Sequence, residues 1–310
     1  MSRALGWCAR HGRWLLIAGL VIGIALPWLA RAMAGAIVPL IALLLFLSAL
    51  RIGARAAMPR RAALPRALGL TLALQLVAPM IAAGVLAWAG LLHTAAGLGT
   101  VLVLAGAPIT GTPGLALMSG ADPAAALRQL VLGTALLPLT AVPVFAVLPI
   151  FPDLGAVVIG AARLLVVIAL AGGLAFALRA AIPRLRRPGA VAAIDGALAL
   201  CMALVVIGLM AAVGPAILAL DVTLPALVAV AFALNLGPAI AVWYSSRAAL
   251  PAPEAGALAI AAGNRNLAIF LAALPPEMVT HLLLFVGCYQ VPMYLTPLIL
   301  PRLLSALRQG

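Results

Sequence analysis

The chain of 310 residues has no lysine, only six acidic residues and three cysteines, and 8% of it is charged. A soluble domain carries about 25% charged residues, so that scarcity excludes an ordinary soluble globule. Aromatic residues are few as well, at 5%. None interleave with the basic residues as on a nucleic-acid surface, so the net charge of +13 does not point to nucleic acid. Cys8, Cys201 and Cys288 form neither a metal-ligand spacing nor a disulfide framework. They are read as small packing residues, and no metal or cofactor is expected. The apolar segments hold no His-Glu-x-x-His, no Asp-rich motif and no Ser–His pair, so an integral membrane enzyme lacks its reacting groups. A channel lacks its charged ring.

What the chain does have is apolar length, with 66% of its residues hydrophobic. A membrane-crossing helix needs about 20 predominantly apolar residues. Runs of that kind lie near 14–30, 34–50, 67–90, 98–120, 124–148, 155–179, 190–213, 222–245, 255–274 and 278–300. The run from Trp14 to Leu29, preceded by Arg3, Arg10 and Arg13 and followed by Ala32-Met33-Ala34, also resembles a secretory signal. Its length and the spans behind it favour a first membrane helix. All nineteen basic residues are arginine, and their placement orients the chain. Arg51, Arg55, Arg60, Arg61 and Arg66 follow the second run, Arg128 opens the fifth, and Arg179, Arg184, Arg186 and Arg187 follow the sixth. Arg247 follows the eighth, and Arg302 and Arg308 follow the tenth. With both termini cytoplasmic, nearly all of these fall on the inner side, while the outer loops hold Arg31, Asp153, Asp221 and Glu277. The expectation is an all-α protein of the cell's inner (plasma) membrane with ten spans, N-in and C-in.

Five runs precede Phe151-Pro152-Asp153 and five follow it. An odd number per half turns the halves over relative to each other, which divides one membrane unit into inverted repeats at 1–150 and 151–310. Weak internal likeness fits that division. Gln75-x-x-x-Pro79 is matched by Asn235-x-x-Pro238, and Pro138 and Pro143 are matched by Pro292 and Pro297. The fourth run is interrupted at Pro108-Ile109-Thr110-Gly111-Thr112-Pro113-Gly114 and the ninth at Gly263-Asn264-Arg265-Asn266. Broken helices survive at membrane depth only inside protein or against a cavity. Arginine at the bilayer centre costs roughly 2.5–3.5 kcal/mol on insertion scales, so Arg265 needs a partner, water or a ligand.

At these two interruptions the chain resembles the bile acid:sodium symporter family, whose members have ten helices in two inverted repeats, with two unwound helices crossing near the substrate. The family's proline-containing break and acidic turn are matched by Ala107-Pro108 through Gly114 and then Asp122. The fifth run continues without a gap to Pro138, in Ala135-Leu136-Leu137-Pro138-Leu139-Thr140. The ninth run carries Ala261-Ala262-Gly263-Asn264-Arg265-Asn266-Leu267-Ala268. By this resemblance the family's sodium-coordinating Glu falls at Ala261, its Gln at Arg265, and its Ser and Thr ligands at Ala126 and Leu130. Pro113 or Gly114 stands where the family has Asn. The resemblance therefore implies the fold and a transport role, moving a small organic anion by alternating access through a midplane site, and not sodium coupling.

Two roles are open to Arg265. It can hold the free carbonyls at the ends of the broken half-helices, or it can grip an anionic substrate in bidentate fashion. The acids Asp122, Asp153, Asp195, Asp221, Glu254 and Glu277 all map to the membrane faces, as do His93 and His281, which argues against a proton relay. The expected substrate-binding set is Arg265, Asn264, Asn266, Gly263, Thr110, Thr112, Pro113, Gly114, Thr134, Asn235, Gln75 and Gln290, with Gln129 as a further polar group. An exporter resembling auxin efflux carriers shares the same span pattern and is the alternative.

Overall fold

The computed structural model describes residues 2–53 and 64–309. Arg55, Arg60 and Arg61 lie outside the described residues, as do the side chains of Arg3, Arg13 and Arg308. In chain order the helices are α1 (Ser2–Arg10), α2 (Gly12–Ala25), α3 (Pro27–Ala34), α4 (Ile37–Ile52), α5 (Leu64–Trp88), α6 (Ala95–Ala105) and α7 (Thr112–Met118). They continue as α8 (Pro123–Val147), α9 (Leu154–Ala181), α10 (Pro188–Leu209), α11 (Val213–Leu218), α12 (Leu224–Ser246), α13 (Ala252–Gly263) and α14 (Pro276–Gln309). Among the described residues there is no strand, only a single isolated bridge.

Six helices are each long and apolar enough to cross a bilayer: α5, α8, α9, α10, α12 and the Glu277–Ser305 stretch of α14. Two sharply bent pairs, at the α1–α2 and α3–α4 junctions, raise the number to eight if each is one span. Large apolar side chains face outward along them. Val158, Ile159, Leu165, Leu170 and Leu174 of α9 are each more than half exposed, as expected for a multi-pass membrane protein whose solvent is lipid. The runs expected at 98–120 and 255–274 are broken helices: α6 stops at Ala105 and α13 at Gly263. The run expected at 14–30 also breaks, because Pro27 has no N–H for the Gly23 carbonyl; α2 ends at Ala25 and α3 begins at Pro27. Elsewhere proline is absorbed. Pro138 and Pro143 lie inside α8, Pro238 inside α12, and Pro292, Pro297 and Pro301 inside α14. In α5 a π-turn at Ala73–Val77 sits just before Pro79, which offers no donor to the Gln75 carbonyl.

The chain forms two compact units that cut across its sequence halves. One comprises Met1–Ala57 and Leu165–Leu224, the other Met58–Leu164 and Pro225–Gly310. Residues 1–150 and 151–310 each contribute to both.

The first unit is organised around α10, against which α1, α2, α3 and α4 pack. Close approach is possible because α10 and its neighbours present glycine at the contacts. A Cβ on Gly208 would lie 3.1 Å from the Met33 carbonyl oxygen, and one on Gly19 would lie 2.8 Å from that of Ala203. Lipid tails are as apolar as leucine, so membrane helices gain little by burying large side chains against each other; small residues bring backbones into contact instead. At one end, Arg51 pairs with Asp195 at 2.5 Å, and Arg179 donates to the carbonyls of Leu50 and Arg51.

The second unit holds the broken helices. Phe145, Phe270 and Phe285 are fully buried in it, with Phe145 stacked on Phe151 at 4.4 Å and edge-on to Phe270 at 5.6 Å. Asp122 caps α8 through the Ala124 N–H at 2.8 Å. Its backbone N–H donates to the Pro253 carbonyl at 2.9 Å, and Arg128 reaches Glu254 at 3.5 Å, so one end of α8 is tied to the start of α13.

Candidate functional site

The two interruptions meet. Pro108 and Arg265 form an antiparallel bridge, in which the Ile109 N–H donates to the Asn264 carbonyl at 2.9 Å and the Asn266 N–H donates to the Ala107 carbonyl at 2.6 Å. Each break thus satisfies backbone groups that the other exposed, which is what a non-helical segment at membrane depth requires.

The chemistry of the breaks explains what Arg265 does there. In an unbroken helix the Leu104 carbonyl would accept from residue 108, but Pro108 has no N–H. The Ala261 carbonyl would accept from the backbone N–H of Arg265, but that N–H is turned away and donates to the Tyr289 hydroxyl at 3.1 Å. The guanidinium supplies both missing donors: Nη2 reaches the Leu104 carbonyl at 3.3 Å and Nη1 the Ala261 carbonyl at 3.5 Å. Both carbonyls belong to the last turns of α6 and α13, where a helix carries a partial negative charge of about −0.5. Each such end offsets part of the guanidinium's charge. Arg265 is 2% exposed, and among the described residues no carboxylate pairs with it.

Neutral side chains complete the cluster. Tyr289, with no exposed surface, donates from its hydroxyl to the Gly263 carbonyl at 2.6 Å. Asn235 donates to the same carbonyl at 2.7 Å and to Asn264 Oδ1 at 3.4 Å. Asn264 returns its amide to the Ile260 carbonyl at 2.8 Å. Thr296 donates to Asn264 Oδ1 at 2.9 Å and lies 3.3 Å from Asn235 Oδ1. Gly263 has to be glycine: its Cβ would collide with the Asn235 carbonyl oxygen.

A second, smaller network repeats part of this one. Gln75 on α5 donates to the Gly133 carbonyl at 3.1 Å, and Thr140 on α8 donates to Gln75 Oε1 at 3.4 Å. Thr296 on α14 stands to Asn235 on α12 as Thr140 stands to Gln75. Beside it, Gln129 donates to Thr71 at 2.8 Å, while its buried Oε1 has no partner among the described residues.

Of the residues picked from sequence, Gly263, Asn264, Arg265, Asn266 and Asn235 come together at the crossing. Thr112 is buried within the first break and donates to the Ile109 carbonyl at 2.6 Å. Gln75 belongs to the second network. Gln290 is turned to its own helix, donating to the Val286 carbonyl at 3.3 Å. Thr110, Pro113, Thr134 and Asn266 are half-buried, and Gly114 is exposed. Sequence reasoning missed Tyr289, Thr296 and Thr140. The available signal for the first two was their spacing, since residues 289 and 296 are seven apart and share one face of α14.

A cleft of about 200 Å³ opens at the far ends of α7 and α13 from the crossing, with Ser119, Ala121, Pro253, Gly256, Ile260 and Leu304 among its lining residues. It contains none of the expected substrate residues. Its lining residue Ile260 accepts from the Asn264 amide and stands one residue before the Ala261 carbonyl that Arg265 holds. Comparison with known proteins adds no relative: no family model matches the chain, and no curated protein matches it.

Proposed function

We propose that this protein is a secondary transporter for a small organic anion, built as ten spans in two inverted five-span repeats. In this reading it resembles bile acid:sodium symporters but operates without bound sodium. It lies in the inner membrane with both termini cytoplasmic, and it works by alternating access around the crossing of the two broken helices. The observation that carries the reading is Arg265, buried and without a carboxylate partner among the described residues, between the terminal carbonyls of both half-helices. A guanidinium there supplies the positive charge that two converging helix C-termini call for, and at an effective dielectric near 20 it would repel a sodium ion a few ångströms away by several kcal/mol. The rest of its five-donor fork remains for an anion.

The repeat reading is supported by the pairing of the two interruptions and by the matched amide–threonine contacts, Gln75 with Thr140 and Asn235 with Thr296. The division of the chain also fits: each unit takes segments from both halves, and the unit bearing the crossing carries the whole polar cluster. The test is uptake of organic anions by the purified protein in proteoliposomes, with and without a sodium gradient. Uptake that proceeds equally in both conditions is expected. A strict sodium requirement would overturn the resident-cation role of Arg265.

A further inference from the structure

Resting on the transport reading above, the charge balance at the crossing narrows the substrate class. We infer that the site accepts anions of one net charge and discriminates against dianions. Arg265 brings the one formal charge of the cluster. Among the described residues every other polar side chain bonded into it is neutral: Asn235, Asn264, Tyr289 and Thr296. Part of the guanidinium's charge is already matched by the terminal carbonyls of Leu104 and Ala261. The acids and arginines nearest along these elements do not alter the count. Asp122, Arg128 and Glu254 pair with one another at the other end of α13.

A monoanion docking on the remaining guanidinium N–H groups meets one cation with directional donors. A dianion brings a second charge with no cation to face it, and the desolvation penalty of an ion rises with the square of its charge. The planar fork suits a carboxylate or a sulfonate equally well, so charge, rather than the identity of the acid group, is the selected property.

The experiment uses the full chain in proteoliposomes and anions paired for skeleton: gluconate against glucarate, and benzenesulfonate against benzene-1,3-disulfonate. Sulfonates stay ionised at neutral pH, so leak of the neutral acid does not contaminate the signal. Thermal stabilisation of the detergent-solubilised protein by the same anions gives a second readout. The expected result is that a monoanion is taken up about a hundredfold or more faster than its paired dianion, and that only the monoanion stabilises the protein. Asn266→Lys supplies a second cation beside the site. Asn266 is half-buried and its side chain makes no hydrogen bond among the described residues. In that variant the preference should move toward the dianion by about tenfold or more. Comparable uptake of mono- and dianion by the unaltered protein overturns the inference while leaving anion transport intact. Failure of every anion to enter or to stabilise overturns the transport reading, and the inference with it.

Discussion

The two units of this protein face the same problem, helix association in a lipid environment, and differ in what they add to glycine packing. The unit centred on α10 relies on absence: Gly19, Gly23 and Gly196 let backbones touch where a side chain would collide, and Gly208 lies where one would press tightly on Ile37 and Met33. The unit with the broken helices has close-packed glycines too, Gly97, Gly99 and Gly263 among them, but adds buried polar side chains, several of them bonded to backbone groups at the breaks. Packing by glycine is local and tolerant of sequence elsewhere. The hydrogen-bonded cluster is interdependent, since Gly263, Asn264 and Arg265 are each held by side chains from other helices.

That contrast can be broken at several points. The largest effect is expected from Arg265→Ala, which leaves the Leu104 and Ala261 carbonyls without donors, at about 1–3 kcal/mol each. Uptake per inserted molecule should fall to background, and Arg265→Lys should restore little, because a point charge cannot span both carbonyls. Full uptake in the alanine variant would remove Arg265 from the mechanism. Next is Tyr289→Phe. It orphans the Arg265 backbone N–H, and a destabilisation of about 1–3 kcal/mol is expected by thermal unfolding, with reduced uptake. Tyr294→Phe, on the same helix and with no hydroxyl hydrogen bond among the described residues, should behave as unaltered protein. If both phenylalanine variants behave alike, the Tyr289 hydroxyl is not holding the break.

A smaller loss should follow Asn235→Ala, which removes two donated bonds from the crossing. Gln75→Ala, which touches only the second network, should cost about 0.6 kcal/mol, the mean for an interhelical hydrogen bond in a membrane. Equal effects on uptake would mean that both networks serve the site. In the other unit, Gly208→Leu should lower stability by about 1–3 kcal/mol through overpacking against Ile37 and Met33. Uptake per folded molecule should remain unchanged. Asp195→Asn should shift stability by at most about 0.5 kcal/mol, because both partners of its pair with Arg51 are about a third or more exposed.

Much of the second unit was legible in the chain. Pro108 and the Gly263–Asn266 run marked both breaks, because proline lacks a donor and a charged residue at membrane depth needs an interrupted, protected backbone. Asn235 was readable from its likeness to Gln75. Tyr289 and Thr296 were not, because they lie in a continuous, apolar-looking helix and gain importance only by facing groups that another helix exposes. The first unit was less legible. Its glycines look like the ordinary glycine of membrane helices, and only the packing on α10 shows which backbone each one meets.

The amino-acid order alone determined a helical, multi-pass membrane chain, where its helices must fail, and that one positive charge sits in such a failure. Those outcomes follow from local rules: apolar length, a missing N–H, and the cost of charge in hydrocarbon. Only the tertiary structure decided that the two failures pair with each other and that Arg265 donates to one carbonyl from each. It alone decided that Tyr289 bridges the gap the arginine leaves behind. Hydrogen bonds between segments more than a hundred residues apart depend on which unsatisfied groups the fold brings face to face, and no local pattern records that.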